Sequence, residues 1–451
     1  MAKIQNGDLN FTDKIYEKYL TKISIILNRL HKVNYSKEYW RIVVGPWLSG
    51  IIKNIYYIGK YQKSKKSILK KKSYLTSEDT PNNYTDYLDK IYSGRQKKWR
   101  FKYCNEIFNI KLKSEKLKNK INDIEDIFFY DSVVQKLSFK QKIIFFIQKF
   151  FNILIKNNNS IYWHSYFSTF EIIKDSIKNK SLNIFDQYNF VIPKFNYKKE
   201  YRTWNLEGKN KFEKKLNIIL PKVCPKTYLE GFKYLQKEQK RLFPNKIKYI
   251  NSGVSLIGDD FFKILIAEKK LTGSKLNSIQ YGGNMHIDPQ LIHVRKISDV
   301  YLSWGTVDMY KGFKSKFKVI GYKKGKQTFK KIKKKNYFAF LSVNTISTTV
   351  IKFARMMATP EEYNLYLQNI INFLDLIPKE VRKKIVIGVK EEGYGINTAK
   401  KILKLKFPEI NLYINCGNQL AKMSDLHIST YFGTMELETI ENQIPTVFLE
   451  A

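Results

Sequence analysis

The sequence predicts an α/β protein: two Rossmann-like domains facing across a cleft, with an added helical region at the N-terminus. Three observations lead there. From about residue 247, short apolar runs alternate with helix-period segments, the mark of a parallel sheet. A dense basic stretch over 311–336, with Gly312, Gly321 and Gly325, then interrupts the alternation, and a second alternation begins at 337. Ahead of residue 157 the periodicity is helical instead. The expected division is therefore 1–157, a mostly helical region packed on the first domain; 158–325, the first Rossmann-like domain; and 326–451, a second, nucleotide-binding one. Joined by a linker, the two α/β units form a cleft suited to a substrate shared by both.

Helices are expected over 12–62, where Ile15, Tyr19, Ile23, Ile26 and Leu30 recur at helical spacing. Ser36 is a plausible N-cap for the next helix, whose apolar run is broken at Gly45-Pro46 because proline disrupts a helix interior. Trp40 and Trp47 anchor that bend in a core, and Arg41 is read as a packing residue. Residues 63–135 are Lys-rich and weakly periodic. In 139–156, FKQKIIFFIQKFFNILIK, the polar residues gather on one face. Such a basic amphipathic helix either lies on a membrane surface or packs against the core. Short strands follow at 160–167 and 191–192, around a helix over 170–179. Basic helices and loops fill 209–243, with Pro221, Pro225 and Pro244 as breakers.

The first alternation places strands at 247–251, 276–280 and 299–304, with a helix over 259–270 whose first turn is acidic, as the helix dipole prefers. The turn Tyr281-Gly282-Gly283-Asn284 sits at the carboxyl end of a strand, where ligands of parallel sheets bind. In the second alternation, strands are expected at 337–343, 384–389, 410–413, 426–429 and 446–449. Helices are expected at 361–376, 398–406, 418–423 and 435–442, with polar or Gly-rich loops at 344–349 and 391–397. The last unit, 423–451, is a strand, a small-residue turn with Gly433, a short helix and a final strand opened by Pro445. The backbone N–H groups at that helix start form a ready phosphate site, and Glu438, one turn inside, is placed to hold a ribose diol.

The chain has 451 residues and a formal charge of +41, with 43% hydrophobic and 15% aromatic residues, which excludes general disorder. The basic excess suits nucleic acid, an anionic membrane surface or an acidic substrate. It is spread evenly and no nucleic-acid motif accompanies it, so a general Lys, Asn and Ile richness accounts for most of it. Cys104, Cys224 and Cys416 are far apart, and the five histidines lack metal-ligand spacing. A polar N-terminus and the lack of an 18-residue apolar run point to a cytoplasmic protein, with a peripheral place at the inner face of the membrane left open.

Three blocks carry a resemblance: NYSKEYWRIVVGPWL (34–48), QYGGNM (280–285) with DVYLSWG (299–305), and FGTMELETIENQIPTVF (432–448). In this order they resemble a bacterial family of transferases from surface-carbohydrate biosynthesis loci, similar in turn to glycosyltransferases of the GT-B fold. The resemblance implies that Gly433 and Thr434 approach the donor diphosphate and Glu438 holds its ribose, with the Gly282-Gly283-Asn284 turn opposite. Tyr281 stands where the family's turn usually has His, and Gly388 where relatives tend to carry Arg, with Lys390 nearby. Such proteins normally continue through a further helical segment, so the second domain is expected to be incomplete.

The function expected is transfer of a sugar from a sugar nucleotide to a surface polysaccharide or lipopolysaccharide precursor. The acceptor is a glycan or a lipid-linked one, and no specific nucleic acid is a partner. Arg355 or Lys390 would steady the leaving diphosphate; no DxD pair calls for a metal, and no cofactor is needed. His286 and Asp288, beside the glycine turn, are candidate bases. A sugar-nucleotide epimerase or hydrolase of the same fold, and a non-catalytic basic scaffold binding anionic lipid or nucleic acid, are the alternatives.

Overall fold

The computed structural model describes residues 6–62, 74–92, 97–108, 160–165, 167, 169–178, 183–185, 190–253, 255–280, 289–305, 316–321, 337–343, 360–389, 398–414, 416–430 and 434–449. The segment 139–156, the glycine turn at 281–284 and the loops at 344–349 and 391–397 lie outside these.

Two long helices open the chain, α1 (Asn6–His31) and α2 (Lys37–Gln62). Ser36 caps α2, its Oγ accepting from Tyr39 N at 3.2 Å. Contrary to the sequence expectation, Pro46 does not break α2, which runs through it. A proline inside a helix costs about 3 kcal/mol, and here burial outweighs that: Trp40, Val43, Val44, Trp47, Leu48, Ile51 and Ile52 are all buried. Arg41 joins the two helices, forking onto Glu17 at 2.6 and 2.9 Å and meeting Glu38 at 2.8 Å. Burial alone would raise the Glu17 carboxyl, but Arg41 and Lys37 overcome it and hold it near 2. Shorter helices α3 (Tyr84–Tyr92) and α4 (Lys97–Phe108) follow.

The first sheet has six parallel strands in the order β2-β1-β3-β4-β5-β6. They are β1 (Ser160–Trp163), β2 (Asn183–Phe185), β3 (Tyr249–Ser252), β4 (Lys275–Ile279), β5 (Val300–Ser303) and β6 (Lys316–Val319). Around them lie α5 (Thr169–Lys178), α6 (Lys211–Val223), α7 (Phe232–Leu242), α8 (Ser255–Gly258), α9 (Asp260–Leu271) and α10 (Pro289–Ile297). Two expectations are corrected. Among the described residues Val191 and Ile192 pair with no strand, the ladder beside β1 being made by β2. Part of the basic stretch read as an interdomain connection is β6, paired to β5.

The helical region and this sheet share one continuous apolar core, from Ile15 to Tyr301. Asp260 and Lys263, both wholly buried and 2.8 Å apart, knit it together. Asp260 accepts from Tyr84 N, Thr227 Oγ1 and Tyr228 OH at 2.6–2.9 Å, so the charge is fully satisfied and α3 is tied to α9.

The second sheet has five parallel strands in the order β11-β10-β7-β8-β9. These are β7 (Tyr337–Val343), β8 (Ile385–Val389), β9 (Asn411–Ile414), β10 (Ser424–Ser429) and β11 (Thr446–Phe448), close to the spans expected. Its helices are α11 (Pro360–Asp375), α12 (Lys379–Arg382), α13 (Thr398–Lys406), α14 (Gly417–Lys422) and α15 (Thr434–Glu441). Leu341, Ile387 and Ile428 face α11 and α13 on one side. Phe340, Val386, Leu420 and Met435 pack on the other. Among the described residues no helix is long and apolar enough to cross a membrane.

Candidate active site

Strand order locates the site. In the second sheet the chain winds from β7 outward to β8 and β9, then returns to the other side of β7 as β10 and β11. Winding direction therefore reverses between β7 and β10, and ligands of open parallel sheets sit outside the carboxyl ends at that reversal. The residues there are small and hydroxylic: Ser342 on β7, and Ser429 and Thr430 at the end of β10. Thr430 Oγ1 donates to the Ser342 carbonyl at 2.8 Å, and Tyr366 of α11 shares a short hydrogen bond with Thr430 Oγ1.

Beneath this end lies His427, fully buried and stacked on Phe340 with ring centroids 5.0 Å apart. Its Nδ1 is 3.1 Å from Thr439 Oγ1 and its Nε2 is 3.0 Å from Ser342 Oγ. Burial lowers its pKa to about 4, so the ring is neutral at pH 7. Thr439 Oγ1 already donates, to the Glu436 carbonyl at 3.0 Å. In the neutral ring one of the two nitrogens donates and the other accepts. One neutral imidazole thus links β7, β10 and α15.

α15 starts at Thr434, and Glu438 lies one turn in, with its side chain half-buried. Glu436, in the first turn, is fully buried and accepts from Ser429 Oγ at 2.5 Å. Sequence reasoning missed this carboxylate; an acid at the third position of a helix following a Ser-Thr strand end was the available signal. Gly433, Gly282, Gly283, Asn284, His286, Asp288, Arg355 and Lys390 fall outside the described residues, as does the Thr434 side chain. Gly388 is accounted for by packing. A Cβ there would lie 2.5 Å from the Phe340 ring and 3.0 Å from Leu420.

The first sheet reverses in the same way between β1 and β3. His164, immediately beyond β1, is exposed and holds a left-handed backbone with φ 44°. Its carbonyl accepts from Gly253 N at 3.2 Å, beyond β3, and its Nδ1 is closely hydrogen-bonded to Ser255 Oγ. A left-handed backbone is uncommon for a residue with a side chain, and here it falls at the reversal of a parallel sheet. Nearby Asp259 caps α9, accepting from Phe262 N at 3.0 Å; burial pushes its pKa up. Nothing in the sequence separates His164 from the other histidines except its place at a strand end.

Gln280 closes β4 just ahead of the glycine turn, its Oε1 accepting from Ser303 Oγ at 3.1 Å and Trp304 N at 2.9 Å. Among the described residues no group of three His, Cys, Asp or Glu side chains could hold a metal ion.

No curated protein matches the chain. Among solved structures it is similar to MurG of Acinetobacter baumannii at 10% identity, over 66% of this chain and 79% of that one, with a TM-score of 0.32. The model of the LIC12162 family transferase matches residues 2–450, nearly the whole chain, and the protein belongs to that family of transferases.

Proposed function

We propose that this transferase is a glycosyltransferase, moving a sugar from a sugar nucleotide onto a surface polysaccharide or lipopolysaccharide precursor. The observation that carries the reading is the position of α15. It follows the strand at which the second sheet reverses, with Glu438 one turn in and Pro445 opening β11. A diphosphate set at the helix start meets unpaired N–H groups, and Glu438 meets the ribose diol. The N–H groups, with Arg355 or Lys390, stabilise the charge that grows on the departing diphosphate, so no metal or cofactor enters the scheme. Gly433 and Thr434 approach that diphosphate, and the turn at Gly282, Gly283 and Asn284 faces it in the two-domain GT-B arrangement.

Of the described groups, His164 is the one suited to act as base, with His286 and Asp288 as the other candidates. With Nδ1 turned to Ser255, Nε2 takes the proton of the acceptor hydroxyl as its oxygen attacks the anomeric carbon. The bond from that carbon to the diphosphate breaks, and its electron pair leaves with the nucleotide. A lipid-linked precursor as acceptor sets the reaction at the inner face of a membrane.

Thermal shift with UDP-, GDP-, TDP- and CMP-sugars tests the donor. At a concentration of 100 times Kd the correct one adds about 2.7 kcal/mol to stability. Glu438→Ala should weaken it roughly 10- to 150-fold, the loss of a charged hydrogen bond of about 1.5–3 kcal/mol. No shift with any sugar nucleotide counts against the transfer reaction; an undiminished shift in the variant removes only the ribose contact.

A further inference from the structure

Helix α5 carries its apolar residues on the wrong side for a helix that only covers a sheet. At about 100° per residue, Phe170, Ile173 and Ile177 fall within an arc of about 60°. That arc points away from the protein: the three side chains are 74%, 46% and 74% exposed. The opposite side faces the fold, where Ile172 is buried and Asp175 accepts from Tyr162 OH at 2.8 Å. Lys174 and Lys178 both lie on one side of the apolar arc, both exposed, and neither forms an ion pair among the described residues.

We propose that this face of α5 docks the protein on an anionic lipid bilayer. Apolar residues inserted at headgroup depth with lysines beside them match the chemistry of such a surface, the lysine stems lying along the acyl boundary while the ammonium groups stay among the phosphates. Charge decides against a second copy as occupant. A symmetric contact through this face would bring Lys174 and Lys178 close to their own equivalents, in a chain already at +41. An anionic surface draws the same groups in. The inference gives the membrane contact proposed above a specific surface, and it is read without any sugar nucleotide, so its failure and that of the transfer reaction are distinguishable.

Cosedimentation of the full chain with vesicles tests it, using phosphatidylcholine alone and phosphatidylcholine mixed with phosphatidylglycerol. Binding is expected to the mixed vesicles and to weaken as salt rises. Phe170→Glu with Ile177→Glu should lower the partition at least about tenfold, with an unchanged melting temperature. Lys174→Gln and Lys178→Gln should each lower it roughly fivefold, on mixed vesicles only. The proposal is overturned if the wild type leaves the mixed vesicles unbound, or if the double glutamate variant binds as well as the wild type. It is equally overturned if that variant melts earlier or dissociates a dimer, since the face is then covered by residues 139–156 or by a second copy.

Discussion

At Gly388, in the middle of β8, a missing side chain decides what the strand can carry. The Phe340 ring occupies the space a Cβ would need, at 2.5 Å, and that ring also stacks on His427. Gly388→Ala should therefore cost about 1–3 kcal/mol, the usual penalty for overpacking a core, read as a lower urea midpoint at an unchanged slope. Phe340→Leu in the same chain should return part of that loss. His164 is the opposite case, an exposed side chain whose value lies in its geometry. Once a donor is known, His164→Gln should cut turnover by about 100- to 10,000-fold. The donor-induced thermal shift should stay intact, because the imidazole is assigned to the acceptor side. Neither role was legible in the sequence. Gly388 reads as a departure from a motif, and His164 as one of five scattered histidines, until the strand order shows what each one meets.

At the scale of elements, legibility tracked burial and length. β7 and β8 are apolar, central and flanked by polar sequence, so their positions follow from pattern alone. β2 and β6 lie at the edges of the first sheet with three and four residues each, so short that even the alternation in KFKV does not stand out from its Lys-rich surroundings. Their pairing comes from the neighbouring strand, which a local reading does not see. α2 fails for a different reason: the penalty of Pro46 is local, whereas the burial that outweighs it is supplied by the shared core. The strand-helix-strand unit over 424–448 was read closely, but its buried carboxylate, Glu436, was not anticipated. Glu438 was read from a motif, while Glu436 is the acid that fastens α15 to β10 through Ser429.

For the whole molecule, three histidines buried in a neutral state set how it responds to acid. Burial lowers His427 to about 4. It lowers His31 to about 4 as well, against the opposing pull of the hydrogen bond to the Tyr228 carbonyl. His293 is held well below its ordinary value, first by burial and then by Arg41, Lys263, Lys296 and Lys53 around it. The unfolded chain protonates all three near pH 6.5 while the folded chain resists, so the unfolded state binds more protons and stability falls as pH drops. The contribution is complete above about pH 6.5, is lost between there and about pH 4 for His31 and His427, and continues to fall below that for His293. Three protons set a limiting slope of about 4 kcal/mol per pH unit. Glu17 acts in a separate window: held near 2, its stabilisation is present above the ordinary carboxylate value and goes only as pH falls toward 2. Urea midpoints taken from pH 7.5 to pH 4.5 should therefore fall steeply before the carboxylates titrate. His427→Gln, which keeps a polar group between Ser342 and Thr439, should reduce the limiting slope by about 1.4 kcal/mol per pH unit, one proton's worth. A midpoint flat across that range would mean that these imidazoles take up protons in the folded state, and a slope unchanged by His427→Gln would remove His427 from the account.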